Sequence, residues 1–75
     1  MKLFFISSDS SEALSAKKKL IGVHGQNSVE KADVIIPLGG DGFLLKSLHD
    51  FNKLNKPFYG INYGSIGFLM NSDYN

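Results

Sequence analysis

The chain has 75 residues, 43% of them hydrophobic, which allows at most one small domain or part of one. It contains no cysteine, so a disulfide framework and a thiolate metal site are excluded. The net charge is only +1 and the eight basic residues are all lysine. Because specific DNA-binding proteins depend on arginine, we expect no nucleic-acid partner. Apolar runs reach five residues at most, whereas a membrane span needs about 20, so we expect a cytoplasmic protein that does not bind membranes.

The first part of the chain is predicted to form a strand and then a helix. Residues 2–6 include a run of aromatic and branched side chains that stops at a Ser-Ser-Asp segment, as a buried strand does. Three neighbouring residues are alternative caps for the helix that follows: Asp9, Ser10 and Ser11. Small and apolar residues then recur at helical spacing: Ala13, Ala16 and Leu20. Gly22 is expected to end this helix.

A polar, aperiodic segment at residues 23–31 is predicted to be a loop, and a second strand and helix follow it. Residues 32–38 are apolar enough for a strand that is covered on both faces. Pro37 cannot donate a hydrogen bond to a neighbouring strand, so this strand is expected to lie at a sheet edge or to end there. The next apolar residues have the spacing of one helix face: Leu44, Leu48 and Phe51. Lys56 and Pro57 are expected to end this second helix.

A third predicted strand, residues 58–62, completes the order strand, helix, strand, helix, strand. Short connections between these elements predict a parallel βαβαβ unit with right-handed crossovers. Such sheets bind ligands at the carboxyl ends of their strands, which is where the glycine-bearing segments 39–42 and 64–67 fall. Three parallel strands rarely complete a domain, so residues 1–75 are expected to be part of a larger α/β domain. Nine apolar residues form the predicted core: Leu3, Phe5, Val34, Ile35, Ile36, Leu44, Leu48, Phe58 and Ile61.

Residues 39–42, Gly-Gly-Asp-Gly, carry the clearest chemical signal. Glycines let a phosphate approach the backbone, and the start of the next helix favours an anion. A carboxylate beside a phosphate is repulsive unless Asp41 handles a proton or a metal ion. The alternative is that Asp41 is a helix N-cap and the glycines form a tight turn. The Walker A and dinucleotide glycine motifs are both excluded, since no glycine precedes a lysine and Leu45 stands where the latter needs glycine.

Together with residues 60–69, Gly-Ile-Asn-Tyr-Gly-Ser-Ile-Gly-Phe-Leu, this motif resembles the amino-terminal portion of the bacterial NAD kinases, the ATP-NAD kinase family. The resemblance covers the whole chain. It implies a Rossmann-like, phosphofructokinase-like parallel βαβαβ portion of a larger two-domain enzyme. It also implies transfer of a phosphoryl group from ATP, with Mg²⁺ on the phosphates, to the 2′-hydroxyl of the adenosine ribose of NAD. The full-length form would be a homo-oligomer, a dimer or a tetramer.

The resemblance also implies roles for individual residues. Asp41 matches the aspartate that accepts the proton of the 2′-hydroxyl. Three glycines match the loop that approaches substrate and phosphates: Gly39, Gly40 and Gly42. Lys46 matches a basic residue near the bound dinucleotide, and Phe68 an aromatic residue near the adenine. Phe43 departs from the family, which usually has threonine there. The family's Asn-Glu motif and β-rich carboxy-terminal domain do not occur in these 75 residues, which are therefore not expected to be active alone.

Two other interpretations remain open at this level. One is another kinase with a Gly-Gly-Asp-Gly motif, acting on a lipid or a sugar phosphate. The other is a non-catalytic nucleotide-binding or assembly module. No metal-binding residues are predicted, because neither His24 nor His49 has a second ligand at metal spacing.

Overall fold

The computed structural model describes residues 1–62 in full and residues 68–70 as backbone. In these residues the strands and helices, in chain order, are β1 (Leu3–Ser7), α1 (Ser11–His24), β2 (Val34–Gly39), α2 (Asp41–Phe51), β3 (Phe58–Asn62) and β4 (Phe68–Met70). A single 3-10 turn, Asn52–Leu54, extends α2. The strands form one sheet in the order β1-β2-β3-β4, with the first three parallel. The predicted α/β class and the parallel βαβαβ unit are therefore confirmed.

Strand β4 was not among the predicted elements. It pairs antiparallel with β3, and the backbone of Phe68 lies opposite that of Gly60. An antiparallel neighbour needs only a short connection from β3, whereas a parallel one would need a crossover of a dozen or more residues. The apolar sequence Phe-Leu-Met at residues 68–70 predicts an exposed surface through which the isolated chain would associate, but these side chains lie outside the described part of the chain.

One helix packs on each face of the sheet. Neighbouring residues of a strand point to opposite faces, so each strand contributes side chains to both sides. The cluster on the α2 side contains Ile35, Leu44, Leu48 and Phe58. The cluster on the α1 side contains Phe5, Ala13, Ile36 and Leu38. Most of the predicted core is buried in these clusters, and three predicted core residues are only partly buried at their margin: Leu3, Val34 and Ile61.

Helix α1 begins at one of the predicted caps and ends later than predicted. The Ser10 hydroxyl accepts a hydrogen bond from the backbone N–H of Ala13, so Ser10 is the N-cap. Gly22 lies inside the helix, and Gly25 follows its end with a φ of +80°. The prediction that Gly22 ends the helix is therefore wrong. Gly25 adopts the positive φ that favours glycine, and its N–H bonds to the carbonyl of Ile21.

Pro37 lies in the interior of the sheet, so its predicted place on an edge strand is wrong. Strand β2 has β1 on one side and β3 on the other, and it continues to Gly39. Ile35 donates its N–H toward β3, to the carbonyl of Pro57, and alternate residues of a strand face the same neighbour. The nitrogen of Pro37, which carries no hydrogen, therefore faces β3. The paired residues of β2 and β3 pass from Ile35–Phe58 directly to Leu38–Ile61. The sheet tolerates proline here by giving up local pairing.

The outer edge of β1 is covered by side chains from the connection after α1. The Gln26 amide accepts from the backbone N–H of Phe5 and donates to its carbonyl, both at 2.9 Å. The next residue, Asn27, donates from its backbone and side chain to the carbonyl of Leu3. These contacts occupy backbone groups that an edge strand would otherwise offer to another chain. No helix in the described part of the chain is long and apolar enough to cross a membrane.

Candidate active site

The candidate site lies where β2 and β3 end side by side. Gly39, the last residue of β2, pairs with Asn62, the last residue of β3. Helix α2 starts two residues after Gly39, so Asp41 stands at its first position. The carboxyl ends of two parallel strands and the amino end of a helix therefore meet at one edge of the sheet, where parallel sheets bind ligands.

Asp41 is held at this edge by a hydrogen bond from the neighbouring strand. The Nδ2 of Asn62 donates to Oδ1 of Asp41. A carboxylate only accepts hydrogen bonds, which fixes the amide nitrogen of Asn62 as the atom that faces it. Asn62 is buried, with 9% of its surface exposed, whereas Asp41 is exposed. A buried amide thus anchors one oxygen of a carboxylate that is accessible to a ligand.

The interpretation of Asp41 as the N-cap of the second helix is wrong. Gly40, with φ −86° and ψ 180°, is the N-cap of α2, and no side chain caps the helix there. Asp41 is the first helical residue, and its side chain bonds to Asn62 instead. Gly25 is the positive-φ glycine of the described residues, so Gly39, Gly40 and Gly42 are not needed for a left-handed turn.

The three glycines have different surroundings. A Cβ atom on Gly39 would lie 2.9 Å from Cδ2 and 3.1 Å from Cβ of Phe43, so Phe43 requires glycine there. Phe43 itself packs on the α2-side core cluster. A Cβ atom on Gly40 or Gly42 would meet nothing within 4 Å. The described part of the fold therefore gives no steric reason for glycine at these two positions, and the space beside them is open.

The start of α2 supplies positive electrostatic potential beside this open space. The first intrahelical bond runs from the N–H of Leu44 to the carbonyl of Gly40, at 3.0 Å. The N–H groups of the preceding residues of the turn have no partner within the helix and point toward its amino end. Together with the helix dipole, they favour an anionic ligand.

The other two predicted site residues are not brought to Asp41 by the described contacts. Lys46 lies five residues further along α2, about 140° around the helix axis from Asp41. Its Nζ is 3.2 Å from Oδ2 of Asp50, in an exposed pair. The side chain of Phe68 lies outside the described part of the chain, although its backbone belongs to β4.

Asn62 is the residue of the site that the sequence interpretation did not assign. Its signal was present, since it ends the predicted third strand and stands in the second glycine motif. In the part of the chain that the structure describes, no group of three or more His, Cys, Asp or Glu residues could hold a metal ion. His24 instead stacks on the ring of Phe5, with centroids 6.3 Å apart.

Comparison with known proteins places this sequence in a family. Residues 4–75 match the model of the ATP-NAD kinase N-terminal domain. The chain belongs to the ATP-NAD kinase family. It is 51% identical over 71 residues to the NAD kinase of Brucella suis, which covers 95% of this chain and 28% of the relative. For the NAD kinase of Rhizobium meliloti, identity is 51% over 69 residues, covering 92% of this chain and 27% of the relative.

A more distant member is the NAD kinase of Xylella fastidiosa. It is 44% identical over 70 residues, which cover 93% of this chain and 27% of the relative. The chain thus spans little more than a quarter of the length of these relatives.

Proposed function

We propose that this chain supplies part of the active site of an NAD kinase, which phosphorylates the 2′-hydroxyl of the adenosine ribose of NAD with ATP to give NADP. Family membership supports the proposal, and the observation that carries it is the exposed Asp41 carboxylate anchored between two open glycines. Because the chain spans 28% of its Brucella relative, we propose that it forms the amino-terminal α/β portion of a larger two-domain enzyme. We refer to that polypeptide as the complete enzyme, and we propose that it is a cytoplasmic homo-oligomer.

In this proposal Asp41 orients the 2′-hydroxyl and accepts its proton. Phosphoryl transfer passes through a loose transition state with little bonding to the nucleophile, so correct placement of the hydroxyl contributes most of the catalysis. Asp41 takes the proton as the bond to phosphorus forms, which is the role of a general base. One of its oxygens is engaged by Asn62, and the other is the acceptor.

The glycines and the helix start form the surface that approaches the phosphates. Gly40 and Gly42 leave room for the ligand against the backbone, and the free N–H groups of α2 offset its negative charge. Mg²⁺ enters as part of the ATP substrate, bound to its phosphates. The described residues contain no group of three or more His, Cys, Asp or Glu that could hold a metal ion. This is compatible with Mg²⁺ that is held mainly by phosphates and water, as it often is. Lys46 and Phe68 are proposed to contact the dinucleotide.

The test is the acceptor specificity of the complete enzyme. Incubation with ATP, Mg²⁺ and NAD should yield NADP, and diacylglycerol or fructose 6-phosphate offered in place of NAD should not be phosphorylated. Phosphorylation of the lipid or the sugar phosphate alone would show a different kinase of this motif class. Binding of NAD without turnover by the complete enzyme would show a non-catalytic module.

A further inference from the structure

Asn62 is placed to control the orientation of Asp41. It lies at the end of β3, it is buried, and its amide reaches across to the first residue of α2. We propose that Asn62 is a positioning residue that acts on catalysis through Asp41, without itself touching the substrate. This inference rests on the proposed function, because it names what holds the proton acceptor in place.

A buried amide needs a hydrogen-bond partner. Transfer of an amide from water into a protein interior is unfavourable unless its donors and acceptor are paired. Its β3 neighbours Phe58 and Gly60 are buried too, and an apolar residue would fill such a position without that requirement. The bond from Asn62 to Asp41 pairs one N–H of this buried amide and links β3 to α2, 21 residues apart in the chain.

Asp41 needs this bond because nothing else in the described contacts fixes its side chain. It is exposed, so an unbonded carboxylate would move among its staggered rotamers. The amide of Asn62 holds one oxygen and leaves the other directed toward a ligand. For a reaction that depends on the placement of a hydroxyl, a loss of about 1 Å in precision can cost roughly 100-fold in rate.

Kinetics of the complete enzyme test the proposal through a double-mutant cycle. Asn62→Leu keeps the approximate size of the side chain and removes the donor. It should lower kcat by roughly 10- to 100-fold and leave KM for NAD within about threefold. In an Asp41→Ala background, where the group to be oriented is missing, the same change should lower the residual kcat by less than about threefold. A radiolabelled ATP assay makes that residual rate measurable.

Two further variants make the result decisive. Asn62→Ala removes the donor and cannot clash, so it replaces Asn62→Leu if that protein does not fold, with the same expected kinetics. Asn27→Leu removes a side-chain amide that bonds to the carbonyl of Leu3, away from the site, and should leave kcat unchanged. Asn27→Leu therefore controls for a loss of kcat that follows only from the loss of a structural hydrogen bond.

The outcomes separate the two proposals. If the wild-type enzyme forms no NADP, the proposed function fails. If it forms NADP but Asn62→Leu and Asn62→Ala lower kcat equally with and without Asp41, Asn62 acts independently of the carboxylate and its positioning role is overturned. A rise in KM with an unchanged kcat would overturn it as well, because it would indicate contact with the substrate.

Discussion

Replacing Gly42 by alanine should stabilise the protein and weaken nucleotide binding at the same time. Gly42 is the second residue of α2, its φ is not positive, and a Cβ atom there meets nothing within 4 Å. Alanine is favoured over glycine in a helix by about 0.5–1 kcal/mol, so the unfolding midpoint of the complete enzyme should rise by about 1–4 °C. If the open space is occupied by the ligand, the same methyl group meets it.

The expected loss of affinity follows from the cost of overpacking. Inserting a methyl group into a close contact costs about 1–3 kcal/mol, which corresponds to roughly 5- to 150-fold weaker binding. Thermal unfolding and calorimetric titration with NAD and with ATP measure the two effects on one preparation. Gly22→Ala is the matched control, because Gly22 lies in α1 with nothing within 4 Å of its added Cβ and should give stabilisation with unchanged affinity. Unchanged affinity in folded Gly42→Ala would refute the idea that this loop meets the nucleotide.

Three other substitutions test separate parts of the account. Gln26→Ala should lower the unfolding free energy by about 1–2 kcal/mol, measured in urea, since it removes two hydrogen bonds to the backbone of Phe5; an unchanged midpoint would show that water replaces them fully. Phe43→Thr should cost about 1–3 kcal/mol in the same assay because it removes a partly buried ring from the α2-side cluster, and a smaller loss would mean that the ring contributes little packing. Lys46→Ala should weaken NAD binding and change the free energy of unfolding by no more than about 0.5 kcal/mol. Asp50→Ala is the control, because it breaks the same exposed ion pair and keeps the lysine. Equal effects of the two variants on NAD affinity would argue against a direct contact between Lys46 and NAD.

The sequence predicts the order of elements well because local patterns determine it. The predicted strand at residues 58–62 coincides with β3, and the other two differ from β1 and β2 by only one or two residues at each end. Apolar runs and helical spacing carry this information over short stretches of chain. The end of α1 was misplaced because Gly22 and Gly25 are both compatible with a helix end, and the backbone dihedrals of Gly25 decide between them.

Pairing between distant segments could not be read from local pattern. Pro37 favours an edge strand by itself, yet strands on both sides of β2 place it inside the sheet. The bond between Asn62 and Asp41 depends on the register of β2 against β3, which aligns Gly39 with Asn62. The sequence pattern predicts that Asn62 ends a strand and that Asp41 follows the end of another, but not that their side chains meet.

The role of Asp41 as proton acceptor is tested by the rate of NADP formation by the complete enzyme with Asp41→Asn. Asparagine keeps the size of the side chain and lacks the charge needed to accept a proton. We expect a kcat lower by about 10²–10⁴-fold with NAD affinity within a few-fold of the wild type. A kcat within threefold of wild type would contradict it, and would leave Asp41 as a residue that only ties the start of α2 to β3.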